Sequence, residues 1–229
     1  SVESKLGRVR AAVQELGASG LVISALDEVC WLFNVRGGDV SCNPVALAYA
    51  YIDHDTATLF VDEAKVPKDV RDALHAANVD IRDYDRALPF LRAAAAEASV
   101  CVDPSRCSAA VVDAIPEHNR INEHCPVADF KAVKNEGELR GMRAAHVRDG
   151  AAVARAFSRL EKRVVSGEAT SELDVDALLI EERSRDPTFI EPSFPTIAGA
   201  GGNGALIHGS PSDSSVTTST LLLVDSGGQ

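Results

Sequence analysis

Two residues near the carboxyl end of the chain have side chains suited to hydrolytic chemistry. His208 follows the apolar residues 205–207, a predicted short strand, and its imidazole can donate or accept a proton or bind an oxygen atom. Asp225 follows the apolar run 221–224, so its carboxylate is expected to emerge from the end of a buried strand. Burying an unpaired carboxylate costs several kcal/mol, and a metal ion is one partner that offsets this cost. The sequence therefore offers one candidate for proton transfer or oxygen binding and one candidate metal ligand.

Both residues also have a structural interpretation. A lone histidine often serves packing or local hydrogen bonding, and Asp225 can act as a turn or cap residue before Ser226-Gly227. Divalent metals in hydrolases need several oxygen or nitrogen ligands, so one carboxylate does not make a metal site. The glycines at 199–204 form neither a dinucleotide-binding fingerprint nor a P-loop, so they do not indicate phosphate binding.

A second polar group lies in the segment 24–44, which also contains the only tryptophan, Trp31. Trp31 and the two residues after it are predicted to pack in a core, and Gly37-Gly38 is predicted to form a turn with positive φ. Arg36 and Asp39 could face a substrate or a partner subunit, or form a structural ion pair. The sequence leaves these alternatives open.

The elements that position these residues follow two different rhythms. Up to about residue 130, short strand and helix patterns alternate, which predicts an α/β domain with a mixed or mainly parallel sheet covered by helices on both faces. Strands over 45–52 and 57–61 are expected to form a hairpin, and a helix is expected over 5–16 with Gly17 at its end.

Beyond residue 130 the pattern predicts two long helices. Asn135 and Glu138 resemble a capping box that opens a helix to about Val164. Thr170 or Ser171 can cap a second helix through residue 183. A stretch rich in proline, glycine and serine follows, then a strand over 220–224, and the chain stops four residues after Asp225. A natural C-terminus usually consists of loosely held polar residues, whereas this chain stops just after a strand, so a fragment of a longer protein is expected.

Composition excludes several classes of function. The net charge is −11 and no basic stripe is present, which argues against a nucleic-acid partner. No apolar run approaches the roughly 18 residues of a membrane helix, so no membrane partner is expected. The five cysteines are an odd number without metal-site spacing, which favours free thiols in a reducing compartment. A cytoplasmic location is therefore expected.

Several segments, in this order, resemble a known family of peptidases. Residues 25–44 resemble the pattern ALDE-x-x-WLFN-x-RG-x-D-x-x-x-NP, and residues 131–145 resemble K-A-V-K-N-x-x-E-x-x-G-M-R-x-A. The later matches are FPTI at 194–197, NGA-x-IH at 203–208 and VDSG with Gln229, which is similar to IDSGAQ. The chain thus resembles cytosolic-type Xaa-Pro aminopeptidases (aminopeptidase P), metallopeptidases of the creatinase and methionine-aminopeptidase group.

The resemblance implies a fold and a site. It implies a creatinase-type N-terminal α/β domain with a mixed sheet over residues 1–130, then the first part of a pita-bread α+β catalytic domain over residues 131–229. It also implies two divalent metal ions, usually Mn(II), held by five side chains. Asp225 matches the first of the five ligands. His208 matches the catalytic histidine that lies beside the scissile bond and helps to bind the substrate or stabilise the tetrahedral intermediate. Gly209 stands where the family commonly has Tyr.

The other four ligands would lie beyond Gln229, so we expect this chain alone to bind no stoichiometric metal pair and to be inactive. The leading hypothesis is a fragment of an enzyme that cleaves the N-terminal Xaa-Pro bond of proline-containing peptides. The alternatives are a prolidase-type dipeptidase and a naturally truncated, non-catalytic relative acting as a binding or dimerisation module. A homodimer is implied by the resemblance only.

Overall fold

The chain forms two compact units in a computed structural model that describes residues 1–229. The first unit comprises Ser1–Val40 and Pro44–Lys134, and the second comprises Ser41–Asn43 and Asn135–Gln229. Three residues of the segment 24–44 thus group with the second unit. The elements of each unit follow from its sequence pattern.

The first unit contains six α-helices and six strands. The helices are α1 (Val2–Glu15), α2 (Leu26–Phe33), α3 (Lys68–Ala76), α4 (Ala87–Glu97), α5 (Ala109–Asp113) and α6 (Pro126–Ala132). The strands are β1 (Gly20–Ile23), β2 (Ala48–Asp53), β3 (Ala57–Val61), β4 (Val79–Arg82), β5 (Val100–Val102) and β6 (Arg120–Asn122). Their order along the chain reproduces the predicted alternation.

The six strands form one mixed sheet in the order β4-β3-β2-β1-β5-β6. Strand β2 runs antiparallel to both of its neighbours, whereas the other neighbouring pairs are parallel. The predicted hairpin is present, since β2 and β3 pair as antiparallel neighbours. In the turn between them, the Asp53 side chain accepts hydrogen bonds from the amides of Asp55 and Thr56. The mixed sheet confirms the predicted fold class.

Helices cover both faces of this sheet. Successive residues of β1 point to opposite faces, so Leu21 and Ile23 pack in one buried cluster and Val22 in the other. The first cluster receives apolar residues from α1, α2, α3 and α6, and the second receives them from α4 and α5. Because helices cover both faces of the sheet, a strand such as β1 is buried on both sides, which explains its continuous apolar run.

Helix α1 begins and ends as its sequence indicates. The Ser1 hydroxyl accepts a hydrogen bond from the Ser4 amide at the start, and Gly17 has a φ of 70° just past the end. Between these points Leu6 and Val9 are buried on one face. This helix confirms the prediction from apolar spacing.

The prediction of a positive φ at Gly37-Gly38 is wrong, because the positive-φ glycines are Gly17, Gly167 and Gly201. Gly37 is needed for a different reason. A Cβ atom added to it would lie 2.8 Å from the Cβ and 2.9 Å from the Cα of Ala46, where two chain segments pass each other. Close approach of backbone, not turn geometry, therefore excludes a side chain at this position.

The second unit contains two long helices and a two-stranded antiparallel sheet. The elements are α7 (Glu136–Val165), α8 (Glu172–Arg183), β7 (Ile197–Ala200) and β8 (Leu222–Asp225). Both predicted helix starts are capping boxes: Asn135 with Glu138, and Ser171 with Asp174. Its core joins Ala156 and Leu160 of α7 to residues of α8 and both strands.

Helix α7 is long but only partly covered. Its buried residues are Ala152, Ala156 and Leu160, while Met142 and Val147 in its first half are exposed. No helix in the structure combines the length and the apolar character needed to cross a membrane.

Candidate functional site

Asp225 is the last residue of β8, opposite Ile197 of β7. Along β8 the side chains alternate, so Leu222 and Val224 are half-buried against the helices whereas Leu223 and Asp225 are exposed. The carboxylate makes no hydrogen bond or ion pair within this chain. The expectation of a buried strand end is therefore wrong for Asp225, and the argument from desolvation does not apply to it here.

The segment that follows Asp225 is fixed by Arg183 at the end of α8. This arginine is 3% exposed, and its guanidinium donates to Asp149 Oδ1 at 2.6 Å and to the Ser226 hydroxyl at 2.5 Å. A Cβ atom added to Gly228 would lie 3.1 Å from Arg183 Cδ, so the backbone here runs directly against the arginine stem. The buried Arg183 guanidinium thus holds Ser226, the residue that follows Asp225.

His208 lies in a turn, not at the end of a strand, so that prediction is wrong. Residues 201–205 form a short 3-10 helix, and the chain then turns with a φ of 57° at His208. The amide of Leu206 donates to Asn203 O at 3.0 Å, and the amide of Gly209 donates to Leu206 O at 3.3 Å. A left-handed residue cannot continue a strand, which leaves the His208 side chain exposed beyond the turn.

We call residues 201–214 the His208 loop. Its first part packs on the two strands, because a Cβ atom on Gly199 of β7 would lie 2.7 Å from the backbone of Asn203. A Cβ atom added to Gly204 would likewise lie 3.5 Å from the Cβ of Leu223 in β8. The loop and Asp225 therefore belong to the same two-stranded sheet, although no hydrogen bond joins His208 to Asp225.

A buried carboxylate, that of Glu172, holds both ends of the His208 loop. Glu172 is the first residue of α8 and is fully enclosed. Its Oε1 accepts from the amide of Ala200 at 2.7 Å and from Asn203 Nδ2 at 2.9 Å. Its Oε2 accepts from the amide of Ser212 at 2.8 Å and from the Ser212 hydroxyl at 2.6 Å. Sequence reasoning missed this residue, since a glutamate after a serine cap looks like any acidic first turn.

The charge of Glu172 depends on these donors. Burial alone would raise the pKa of its carboxyl, but the hydrogen bonds from Ala200, Ser212 and Asn203 outweigh burial and lower the pKa to about 2. The carboxylate is therefore ionised at any physiological pH. An ionised, fully hydrogen-bonded glutamate is a rigid anchor and is not suited to exchange protons.

Of the two polar residues singled out in the segment 24–44, Asp39 has structural partners and Arg36 does not. Asp39 forms an ion pair with Lys65 at 2.7 Å and accepts from the amide of Leu47 at 2.8 Å. The Lys65 hydrogen bond is the main cause that lowers the pKa of Asp39. The structural alternative therefore holds for Asp39, while Arg36 is exposed and makes no hydrogen bond or ion pair. Leu32 and Phe33 are buried and Trp31 packs beside them, as predicted.

The first unit also contains buried carboxylates, among them that of Glu28. Glu28 of α2 is 0% exposed and pairs with Arg106, while Asp27 beside it pairs with Lys131 at 2.8 Å. These contacts tie α2 to the segment after β5 and to α6. Both acidic side chains of α2 therefore have a basic partner within the first unit.

The residues present do not fit a dinuclear metal centre. No group of three or more His, Cys, Asp or Glu side chains in the chain is placed to hold a metal ion. Asp225 offers one carboxylate, and a pair of divalent ions needs several further ligands. The donor set of this chain alone is thus insufficient, and what the chain provides is one candidate ligand and one candidate substrate-binding histidine.

Comparison with protein families divides the chain in two. The family model described as the creatinase/prolidase N-terminal domain matches residues 1–138, and that described as metallopeptidase family M24 matches residues 140–229. Aminopeptidase P2 of Arabidopsis thaliana is 37% identical, and a probable Xaa-Pro aminopeptidase P of Fusarium vanettenii is 38% identical, each over the whole chain. The chain spans 37% and 40% of these two relatives.

Solved structures give the same grouping. The crystal structure of X-prolyl aminopeptidase from Caenorhabditis elegans, described as a cytosolic enzyme with a di-nuclear active site, matches with a TM-score of 0.95 and 28% identity. All of this chain aligns with that structure, and the alignment covers 39% of the length of the Caenorhabditis elegans enzyme. The prolidase of Pyrococcus horikoshii matches with a TM-score of 0.74 and 20% identity, over 98% of this chain and 60% of its own. The chain therefore belongs to the family defined by the creatinase/prolidase N-terminal domain, and its residues 140–229 match metallopeptidase family M24.

Proposed function

We propose that this chain is part of a longer enzyme that removes the N-terminal residue from peptides with proline in second position. The observation that carries the proposal is the match of the whole chain, at a TM-score of 0.95, to an X-prolyl aminopeptidase with a di-nuclear active site. Relatives of similar function at 37% and 38% identity support it. A cytoplasmic location and proline-containing peptides as partners are part of the same proposal, as is a homodimer.

Within that enzyme, Asp225 would be one ligand of two divalent metal ions, Mn(II) by preference. Its exposed position at the end of β8, with no partner inside the chain, leaves both carboxylate oxygens available. Five ligands would be required in total, so the 229-residue chain alone would neither bind the metal pair nor hydrolyse peptides. The domain boundary is proposed at about residue 130, which the division of the compact units between Lys134 and Asn135 supports.

His208 would bind the substrate beside the scissile bond. An exposed imidazole on a tight turn can donate a hydrogen bond to a carbonyl oxygen, and the same bond stabilises the oxygen as it gains negative charge. The role needs a fixed loop, because a hydrogen bond to a developing charge is useful only when the donor is already in place. The packing of the loop on β7 and β8 supplies part of this order.

The test uses the complete protein that contains this sequence. We expect it to release the N-terminal residue from an Xaa-Pro-Xaa tripeptide, to lose activity with a chelator and to regain it with Mn(II). Asp225→Asn should abolish turnover, and His208→Ala should lower kcat about a hundredfold while the protein stays folded. Cleavage of Xaa-Pro dipeptides alone would indicate a prolidase, and no turnover with any metal would indicate a non-catalytic relative.

A further inference from the structure

All four hydrogen bonds that the Glu172 carboxylate accepts come from residues at the two ends of the His208 loop. Its two oxygens each accept two hydrogen bonds, from donors on residues 200, 203 and 212. These donors stand on either side of His208, before and after the turn. The backbone adds to the hold, since the amide of Glu172 donates to Ser214 O at 3.1 Å and that of Leu173 donates to Ser212 O at 3.3 Å.

The middle of the loop has little else to fix it. Residues 205–208 are exposed, and Leu206 and Ile207 are 58% and 89% exposed. Within this stretch the backbone makes only short-range bonds, from Leu206 to Asn203 and from Gly209 to Leu206. Order at His208 must therefore come from the two ends of the loop, and charge-assisted hydrogen bonds are the strongest available there.

We propose that Glu172 is a positioning residue for His208: its ionised carboxylate clamps both ends of the His208 loop and so fixes the imidazole against the substrate. This inference rests on the proposed function, because it assigns the loop a role in that reaction. Glu172 does not touch the reacting atoms and acts only through the loop.

The chemistry of the clamp demands an anion. All four groups facing the carboxylate are donors, so a neutral amide of the same shape must turn its NH2 group toward two of them. Glu172→Gln therefore keeps the volume of the side chain and breaks half of the clamp. The loop ends should separate while the helix and the sheet remain.

A matched control is available on the same helix. Glu182 is also 0% exposed, and it binds Arg155, Arg159 and Arg185, none of which belongs to the His208 loop. Glu182→Gln thus removes an equally buried charge from α8 without releasing the loop. General loss of stability should affect both variants, and loss of loop order should affect one.

The experiment measures amide hydrogen exchange and kinetics in the complete enzyme. In Glu172→Gln, exchange at residues 206, 209 and 212 should accelerate about tenfold or more, and kcat should fall about tenfold with metal content unchanged. Glu182→Gln should keep loop exchange and kcat within about twofold. Combining Glu172→Gln with His208→Ala should cost less than the product of the single losses, because the clamp acts through that imidazole.

Other results would overturn the proposal. Equal effects of the two glutamine variants, or multiplicative losses with His208→Ala, would make Glu172 a structural residue only. If Glu172→Gln does not fold, Ser212→Ala removes one donor and should give a smaller loop opening with a loss of kcat of about threefold; unchanged exchange and kcat would overturn the clamp. A wild-type enzyme without Xaa-Pro hydrolysis overturns the proposed function, and the exchange comparison then still decides whether Glu172 holds the loop.

Discussion

Acid should weaken the second unit through Glu172, and the size of the effect follows from its pKa. The pKa of this carboxyl falls from the ordinary 4.5 to about 2 in the folded chain. One pKa unit corresponds to about 1.4 kcal/mol, so the ionised group stabilises the folded unit by about 3 kcal/mol at pH 7. Because the folded pKa is the lower one, this stabilisation is complete above the unfolded value of 4.5 and is lost as the pH falls through about 2.

The assay compares the free energy of unfolding of the wild-type chain and Glu172→Gln at pH 7 and pH 3. Helix content by circular dichroism follows both units, because α1–α6 lie in the first and α7 and α8 in the second. Trp31 fluorescence follows the first unit alone, so the difference between the two signals reports the second unit. The wild-type chain should have the larger free energy of unfolding, and its difference from Glu172→Gln should shrink by about 2 kcal/mol from pH 7 to pH 3. Gln does not titrate, and the other carboxylates are common to both chains.

A control variant separates this effect from general charge removal. Glu161→Gln replaces an exposed glutamate of α7 that makes no hydrogen bond or ion pair, so it should change the free energy of unfolding by less than about 0.5 kcal/mol. A wild-type advantage over Glu172→Gln that is independent of pH, or that grows in acid, would refute the reasoning. The hydrogen bonds at Glu172 would then not depend on its charge.

Three further predictions follow from the packing. Arg183→Met leaves Asp149 and the Ser226 hydroxyl without their partner, so chemical denaturation should show a loss of about 2 kcal/mol; a change within experimental error would contradict the contact. Gly37→Ala should cost about 1–3 kcal/mol because of the 2.8 Å approach to Ala46, whereas Gly38→Ala, which meets nothing within 4 Å, should be nearly neutral in thermal unfolding. Asp225→Asn should change the stability of the 229-residue chain by less than about 0.5 kcal/mol, since the side chain is exposed; a larger loss would reveal a structural role.

Local patterns predicted most of the architecture. Apolar spacing and capping residues gave α1, α7 and α8, and the turn at Asp53 gave the hairpin, because these signals act over a few residues. Helix α2 was missed, since its eight residues include Trp, Phe and Val, which are poor helix formers that packing overrides. Strands β6 (Arg-Ile-Asn) and β7 (Ile-Ala-Gly-Ala) were missed as well, because polar and small residues give little of the apolar, β-branched pattern of a strand.

The candidate site could be found in part. His208 and Asp225 were chosen from resemblance and from their places beside apolar runs, but the left-handed turn at His208 has no local signal, because glycine or asparagine usually occupies such a position. The role of Glu172 depends on contacts with residues 28 to 40 positions away, which no local pattern records. The same holds for Gly37, whose constraint comes from Ala46 across the fold.

The uneven cover along α7 makes one continuous helix behave as two. Residues 140–148 are exposed, so this stretch is held by its capping box, its own backbone bonds and the ion pair of Arg148 with Asp186 at 3.0 Å. Ala152, Ala156 and Leu160, by contrast, are packed in the core. Amide protection should therefore rise steeply within a few turns near residue 150, from local fraying before it to whole-unit unfolding after it. In this chain the first half of the helix can therefore open and re-form locally, while Ala152, Ala156 and Leu160 keep the second half packed in the core.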